Sequence, residues 1–181
     1  EYLDVWFYLN SYADNVTVRN NEFTGSSAPG YNVYTQDRTT IGLVVDDNTF
    51  SNGQEPIYMR GGLDWEITDN TIYGDGDASH IGIATRNGYG IIDGNTLIDA
   101  DGGILVDQIT ANQVVNITNN DISQSAGRSA PSAVGIWAED CASSIINTGG
   151  NTISVMENAL VTDGCDINDS GSTFTAVGGA G

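Results

Sequence analysis

The chain has 181 residues and a formal net charge of −19, because 24 aspartates and glutamates face five arginines and no lysine. Such an excess of negative charge argues against nucleic acid and anionic membranes as partners, and it favours divalent cations and neutral or cationic surfaces. No run approaches the roughly 18 apolar residues of a membrane-spanning helix, so the sequence predicts no membrane insertion.

A short phrase recurs along the chain: an apolar residue, two polar or small residues, Asn, a polar residue and a second apolar residue. The copies occupy residues 18–23, 45–50, 67–72, 92–97 and 117–122, with looser copies at 148–153 and 169–174. The asparagines of the phrase are Asn21, Asn48, Asn70, Asn95, Asn120 and Asn151, and Ser172 takes their place in the last copy. Successive copies are 21 to 31 residues apart, which is the spacing typical of a solenoid.

Two shorter alternations precede the asparagine phrases. One is a triplet whose outer residues are apolar or small, at residues 7–9, 33–35, 57–59, 83–85, 104–106, 136–138 and 160–162. The other lies directly before most of the asparagines, as in Val16 and Val18 or Leu43 and Val45. A period of two is typical of strands with one buried face, and no helical period is present. The sequence therefore predicts an all-β chain of about seven repeats with three short strands each, forming one domain over residues 1–181.

Three strands in about 25 residues describe one coil of a parallel β-helix, in which each strand pairs with its equivalent in the next coil. On its asparagine phrase and the aliphatic column beside it, the chain resembles the right-handed parallel β-helix proteins of the pectate-lyase-like superfamily over residues 7–174. The resemblance implies a right-handed parallel β-helix. It implies no single function, because that superfamily contains lyases, hydrolases, epimerases, phage tail spikes, adhesins and structural proteins.

Two ladders are expected inside the coils. Stacked asparagine amides hydrogen-bond from coil to coil and asparagine tolerates a left-handed backbone, so we expect an inward asparagine ladder at a sharp corner. The apolar residues that end each phrase are expected to stack in a second column, each stabilising the fold by roughly 1.5 to 3 kcal/mol. The threonines between the ladders, such as Thr49 and Thr71, are expected to form an exposed column.

The two cysteines occupy equivalent positions in neighbouring repeats. Cys141 lies three residues after Ala138, and Cys165 lies three residues after Thr162. Strands stacked about 4.8 Å apart bring such positions within the Cα distance of a disulfide. The spacing favours a disulfide between coils, formed in an oxidising compartment, over two buried free thiols.

The outward residues of the triplet strands form the predicted ligand-binding face. Aromatic rings in a row beside charged residues suit sugar rings or a protein partner. In superfamily enzymes this face commonly carries the polysaccharide groove, so the resemblance points to the same residues. They are Tyr8, Tyr34, Tyr58, Arg60, Arg86, Asp107 and Trp137.

Candidate catalytic residues are Arg60, Arg86, Asp107 and Glu139 on that face, and the single histidine, His80. Asp107 and Glu139 would lie one coil apart, near the roughly 5 to 5.5 Å of the carboxylate pair in retaining glycosidases, but every like-charged ladder in a β-helix has this spacing. Arg86 beside Asp107 more simply predicts a cross-strand ion pair. With no lysine to act as a lyase base and no match to a specific active-site motif, the sequence favours a protein that is not an enzyme.

Paired aspartates at turns are candidate calcium ligands, because calcium prefers carboxylate oxygens. They are Asp46, Asp47, Asp75, Asp77, Asp99 and Asp101. Neither the EF-hand pattern nor the glycine-rich nonapeptide of calcium β-rolls is present. Calcium therefore stays an open alternative, and no other cofactor is predicted.

Two functions fit this sequence. The favoured one is an extracellular or cell-surface structural or adhesive solenoid, a subunit of a filament or surface layer. End-to-end association would use strand edges that the sequence does not visibly cap, at residues 5–9 and 175–181. The alternative is a polysaccharide-binding or polysaccharide-processing module. Because neither Met nor a signal peptide begins the chain, we expect a processed protein or a segment of a longer one.

Overall fold

The architecture is a stack of coils bounded by three parallel sheets. The computed structural model describes residues 4–9, 13–25, 30–36, 40–74, 80–109, 111–125, 133–154 and 157–175. Each sheet has seven strands, and paired strands belong to successive coils. These ranges contain no helix, and therefore none with the length and apolar character needed to cross a membrane. The fold is the predicted parallel β-helix of about seven coils.

The three sheets, named A, B and C, follow one another in every coil. Sheet A consists of β1 (Asp4–Leu9), β4 (Gly30–Gln36), β7 (Glu55–Arg60), β10 (Ile81–Arg86), β13 (Gly102–Asp107), β16 (Val134–Glu139) and β19 (Asn158–Asp163). Sheet B consists of β2 (Thr17–Arg19), β5 (Val44–Asp46), β8 (Leu63–Thr68), β11 (Tyr89–Asp93), β14 (Val114–Thr118), β17 (Ile145–Gly149) and β20 (Asp166–Ser170). Sheet C consists of β3 (Glu22–Thr24), β6 (Thr49–Ser51), β9 (Thr71–Tyr73), β12 (Thr96–Ile98), β15 (Asp121–Ser123), β18 (Thr152–Ser154) and β21 (Thr173–Thr175).

The asparagine ladder lies at the corner between sheets B and C. Each side-chain amide from Asn21 onward donates from Nδ2 to Oδ1 of the next ladder asparagine, at 3.0 to 3.1 Å, and the series ends at Asn151. Each of those Oδ1 atoms also accepts the backbone N–H of the preceding asparagine. Nδ2 further donates to a sheet B carbonyl of the preceding coil, as from Asn95 to Ile67. All members except Asn21 are buried, so the predicted inward ladder is confirmed.

The left-handed residue of this corner is not the asparagine itself, so that part of the expectation was wrong. In each coil the positive φ falls one residue earlier, with values between 52° and 83°. The residues concerned are Asn20, Asp47, Asp69, Gly94, Asn119, Gly150 and Gly171. They are all Asn, Asp or Gly, the residue types that tolerate this conformation best. The preceding residue turns the chain, and the ladder asparagine makes the hydrogen bonds.

The apolar column of sheet C fills the core beside the ladder. Phe23 and Phe50 stack with ring centroids 4.9 Å apart and planes within 4°. The following members, Ile72, Leu97, Ile122 and Ile153, are at most 1% exposed. Phe174, the member in the last described coil, is instead 42% exposed.

The threonine column of sheet C is less exposed than expected. Thr49, Thr71 and Thr96 register on successive coils and are only partly exposed. Thr152 and Thr173, in the last two coils, are exposed as expected.

One of the two inward columns of sheet B becomes polar in the last coils. Aliphatic residues from Val18 to Ile117 are followed in register by Thr148 and Asp169. Hydrogen bonds from Ser172 and from Thr148 lower the pKa of Asp169. A further coil stacked on this edge would have to desolvate that carboxylate, which is costly. End-to-end association stays a prediction, and residues 1–3 and 176–181 lie outside the described ranges.

The predicted disulfide joins the last two coils. Cys141 and Cys165 follow β16 and β19 at equivalent positions, and their Cα atoms are 4.9 Å apart. The bond uses both cysteines of the chain.

Replacing a ladder asparagine is expected to destabilise the fold strongly. Asn95→Ala would leave the buried backbone N–H of Asn70 without its acceptor, and it would remove the side-chain hydrogen bonds to Asn70 and Asn120. Each unsatisfied buried group costs about 1 to 3 kcal/mol, so the free energy of unfolding should fall by at least that amount in urea titration.

The matched control for this variant is Asn147→Ala. Asn147 lies on the outer face of sheet B and donates to Asn116 at 2.9 Å. Because water can replace that contact, its loss should cost less than about 1 kcal/mol. Equal destabilisation by the two variants would contradict the special role of the inward ladder.

Reducing the disulfide is expected to lower stability by about 3 kcal/mol, because the Cys141–Cys165 bond closes a loop of 24 residues in the unfolded chain. Urea titration of oxidised and reduced protein measures the difference, and Cys141→Ser/Cys165→Ser serves as the control without thiols. Alkylation of both thiols in native protein that was never reduced would rule the bond out.

Candidate functional site

The outer face of sheet A carries two columns of side chains in register. The first is Tyr8, Tyr34, Tyr58, Ala84, Leu105, Trp137 and Val161. The second is Gln36, Arg60, Arg86, Asp107, Glu139 and Asp163. Strand pairing thus places every residue of the predicted ligand-binding face on this one surface.

Four tyrosines form a continuous row of aromatic rings on this face, here called the tyrosine stack, in which the ring of Tyr58 is tilted by 39° against those of Tyr31 and Tyr34. Tyr8 stacks on Tyr34 with ring centroids 5.3 Å apart and planes within 5°. Tyr31, which also lies on β4, has its ring centroid 4.8 Å from that of Tyr34 and 5.2 Å from that of Tyr58. Tyr8 also donates its hydroxyl hydrogen to Gln36. Each ring is therefore held by its neighbours before any ligand arrives.

The tyrosine stack ends at Tyr58 because the next residue of the column is Ala84. The short side chain leaves a groove of about 250 Å³ between Tyr58 and Leu105. Ala84 points outward but is only 2% exposed, since it forms the floor beneath larger neighbours. The groove therefore occupies the place where a further ring of the stack would lie.

One wall of the groove is an ion pair between adjacent coils. Arg86 Nε donates to Asp107 Oδ2 at 2.5 Å, as expected for a cross-strand pair. The Asp107 side chain is 4% exposed and that of Arg86 is 39% exposed. The hydrogen bond to Asp107 is the main reason that the pKa of Arg86 is raised. Arg60, one coil earlier, is exposed.

Glu55 and Tyr31 line the groove but are absent from the sequence prediction. They pair with each other across β4 and β7. Burial raises the pKa of Glu55, although Arg86 and His80 act in the opposite direction. Burial, followed by the charge of Glu55, raises the pKa of Tyr31 to about 12.

An irregularity at the start of the sheet A strands explains why these two residues were missed. Strict alternation from the inward Ile57 would point Glu55 inward as well. Instead Pro56 and Ile57 are both buried, which returns Glu55 to the outer face. The same pair of consecutive buried residues occurs one coil earlier, at Asn32 and Val33. A second buried position before each triplet, often Gly or Pro, is the sequence signal for this shift.

Glu139 borders the groove at its other end, one coil beyond Asp107. Burial and then the neighbouring carboxylates of Asp107, Asp140 and Asp163 raise its pKa, and Arg86 only partly opposes them. Neither Glu139 nor Glu55 forms an ion pair with another residue in the described part of the chain.

Two predicted residues lie near the groove without lining it. His80 is 8% exposed, and its charge acts on Glu55 from the loop before β10. Trp137 is 38% exposed and follows Leu105 in the same column.

Within the described residues, the aspartates predicted to bind calcium are not gathered into a metal-binding cluster. Asp75 and Asp77 lie outside the described residues, and the others are Asp46, Asp47, Asp99 and Asp101. Asp46 pairs with Arg19 at 2.7 Å, and Asp99 accepts two hydrogen bonds from Ser125. Across the ranges that the structure covers, no group of three or more potential metal ligands is present. Calcium binding stays a prediction.

Glu139→Gln is expected to stabilise the protein at neutral pH. Because the folded state raises the pKa of Glu139, it favours the protonated carboxyl over the ionised carboxylate. The stability that the protonated carboxyl contributes is lost as pH rises, whereas glutamine stays uncharged. The gain should be below about 1 kcal/mol, since the residue is partly exposed, and it should vanish below the ordinary pKa of glutamate. Thermal unfolding across pH measures it, with the exposed sheet B residue Glu66 changed to Gln as the control. A gain that persists at acid pH would contradict the electrostatic explanation.

Comparisons with known proteins bear on the fold rather than on this groove. Comparison with curated proteins and with solved structures found no significant match. The model of the family described as right handed beta helix region matches residues 7–174. Since that match spans most of the chain and agrees with the three stacked parallel sheets, the chain belongs to the right-handed beta helix family.

Proposed function

We propose that the protein is an adhesive solenoid that binds a glycan chain along the outer face of sheet A. The observation that carries this proposal is the groove at Ala84, where the tyrosine stack ends. Sugar rings present flat apolar faces that pack on aromatic rings, and a ring placed above Ala84 would continue the stack beyond Tyr58.

The surroundings of the groove supply polar groups for the sugar hydroxyls. Glu55 and Glu139 offer carboxylate oxygens as acceptors, and Arg86 offers guanidinium N–H groups that Asp107 does not use. An apolar floor with a few convergent polar groups is the usual composition of a small-molecule site. The row of rings beyond the groove extends this surface along the axis of the solenoid, so the proposed ligand is a chain rather than a single sugar.

Binding without cleavage is the activity that these groups support best. No nucleophile is held by a neighbouring base in the described part of the face, and Arg86, the basic group of the groove, is engaged with Asp107. The disulfide supports a location in an oxidising compartment, which is consistent with the extracellular or cell-surface setting proposed here.

Tyr58→Ala is expected to weaken binding about tenfold or more, because it removes the ring against which the sugar packs. Ala84→Leu is expected to abolish binding by filling the groove while leaving every tyrosine in place. Titration calorimetry with soluble oligosaccharides of neutral, amino and acidic sugars measures both effects.

Tyr73→Ala is the matched control, because Tyr73 is 44% exposed on sheet C, away from the tyrosine stack. The Tyr73→Ala variant should bind the oligosaccharides with the same affinity as the unchanged protein. If no oligosaccharide binds, or if Ala84→Leu binds as well as the unchanged protein, the proposed function is wrong.

A further inference from the structure

The groove carries more negative than positive charge. Its carboxylates are Glu55, Asp107 and Glu139. Arg86 is the basic residue among the groove-lining residues described, and its charge is already matched by Asp107. Arg60 adds one positive charge a coil away, whereas Asp140 and Asp163 add negative charge beside Glu139.

Because the groove is net negative, its affinity for a glycan should depend on the charge of that glycan. A chain of uronic acids would bring carboxylates against Glu55 and Glu139, and like charges brought together cost free energy. A neutral chain would leave both carboxylates without a counter-charge in a partly desolvated groove. A sugar that carries an ammonium group would neutralise them, and tyrosine rings also attract cations through their π faces.

We propose that the ligand of the groove is a glycan whose sugars carry protonated amines, bound with its ammonium groups on Glu55 and Glu139 and a sugar ring on Tyr58. This inference rests on the proposed function and specifies its ligand class.

The order of the coils sets the direction of the chain. Glu55 precedes Ala84 by one coil and Glu139 follows it by two, so the floor of the groove lies between the two carboxylates. Three strand spacings separate them by about 14 Å along the axis. Glu55 begins β7 and Glu139 ends β16, so the two carboxylates also lie at opposite ends of the sheet A strands. One glycan chain meets both of them only if it crosses the strands of sheet A obliquely.

Titration calorimetry with length-matched oligomers of glucosamine, N-acetylglucosamine and galacturonic acid tests the proposal. The glucosamine oligomer is expected to bind at least about tenfold more tightly than the acetylated one at a pH where its amines are charged. Glu139→Gln is expected to remove most of that preference, because it should weaken binding of the glucosamine oligomer far more than binding of the acetylated one. Added salt should weaken the glucosamine complex far more than the acetylated one.

The control variant is Glu66→Gln, which removes one exposed carboxylate on sheet B and should leave the preference intact. Equal affinity for the amino and acetylated oligomers would overturn the inference while leaving glycan binding in place. Preference for the galacturonate oligomer, with or without added calcium, would also overturn it. If none of the three oligomers binds, both the inference and the proposed function fail.

Discussion

The stacked asparagine amides are the interaction on which this structure depends. The core of a solenoid is one-dimensional, because each coil contacts only its neighbours, so the register of each coil must be fixed by the coils next to it. From Asn48 to Asn151 the buried side chains are bonded to the coil before and the coil after. A coil that slipped by one residue would leave a buried amide without partners, which is costly. The ladder therefore fixes the register that all the other columns share.

Shared register is also what builds the candidate site. Tyr8, Tyr34 and Tyr58 come from strands far apart in the sequence, yet pairing brings them into one stack. A single small residue in that column, Ala84, then creates the groove. In such a fold, a binding groove can therefore arise where one small side chain interrupts a column of large ones. Strand pairing holds the tyrosine rings in place whichever residue occupies the position of Ala84.

Much of this arrangement follows from the sequence because the repeat is visible there. The asparagine register predicts the ladder, the two columns of sheet A and the disulfide between Cys141 and Cys165. Glu55 escapes prediction, because two consecutive buried residues break the alternation before the triplet. The left-handed corner residue was assigned one position late, since asparagine is suited to both the turn and the ladder. The Ala84 groove depends on the bulk of neighbouring side chains, which periodicity does not describe.

The amides of the ladder all point the same way, so the ladder has an electrostatic polarity along the solenoid axis. Every Nδ2 from Asn21 to Asn120 faces the Oδ1 of the following coil, which places the positive ends of these dipoles toward the C-terminal coils. Asn151 continues the series by donating to Ser172 Oγ, and Ser172 in turn bonds the carboxylate of Asp169. The chain of dipoles thus runs into a negative charge, as a helix does when its N-terminus faces an anion. An inverted coil would set two donors against each other, so the ladder gives the stack a direction as well as a register.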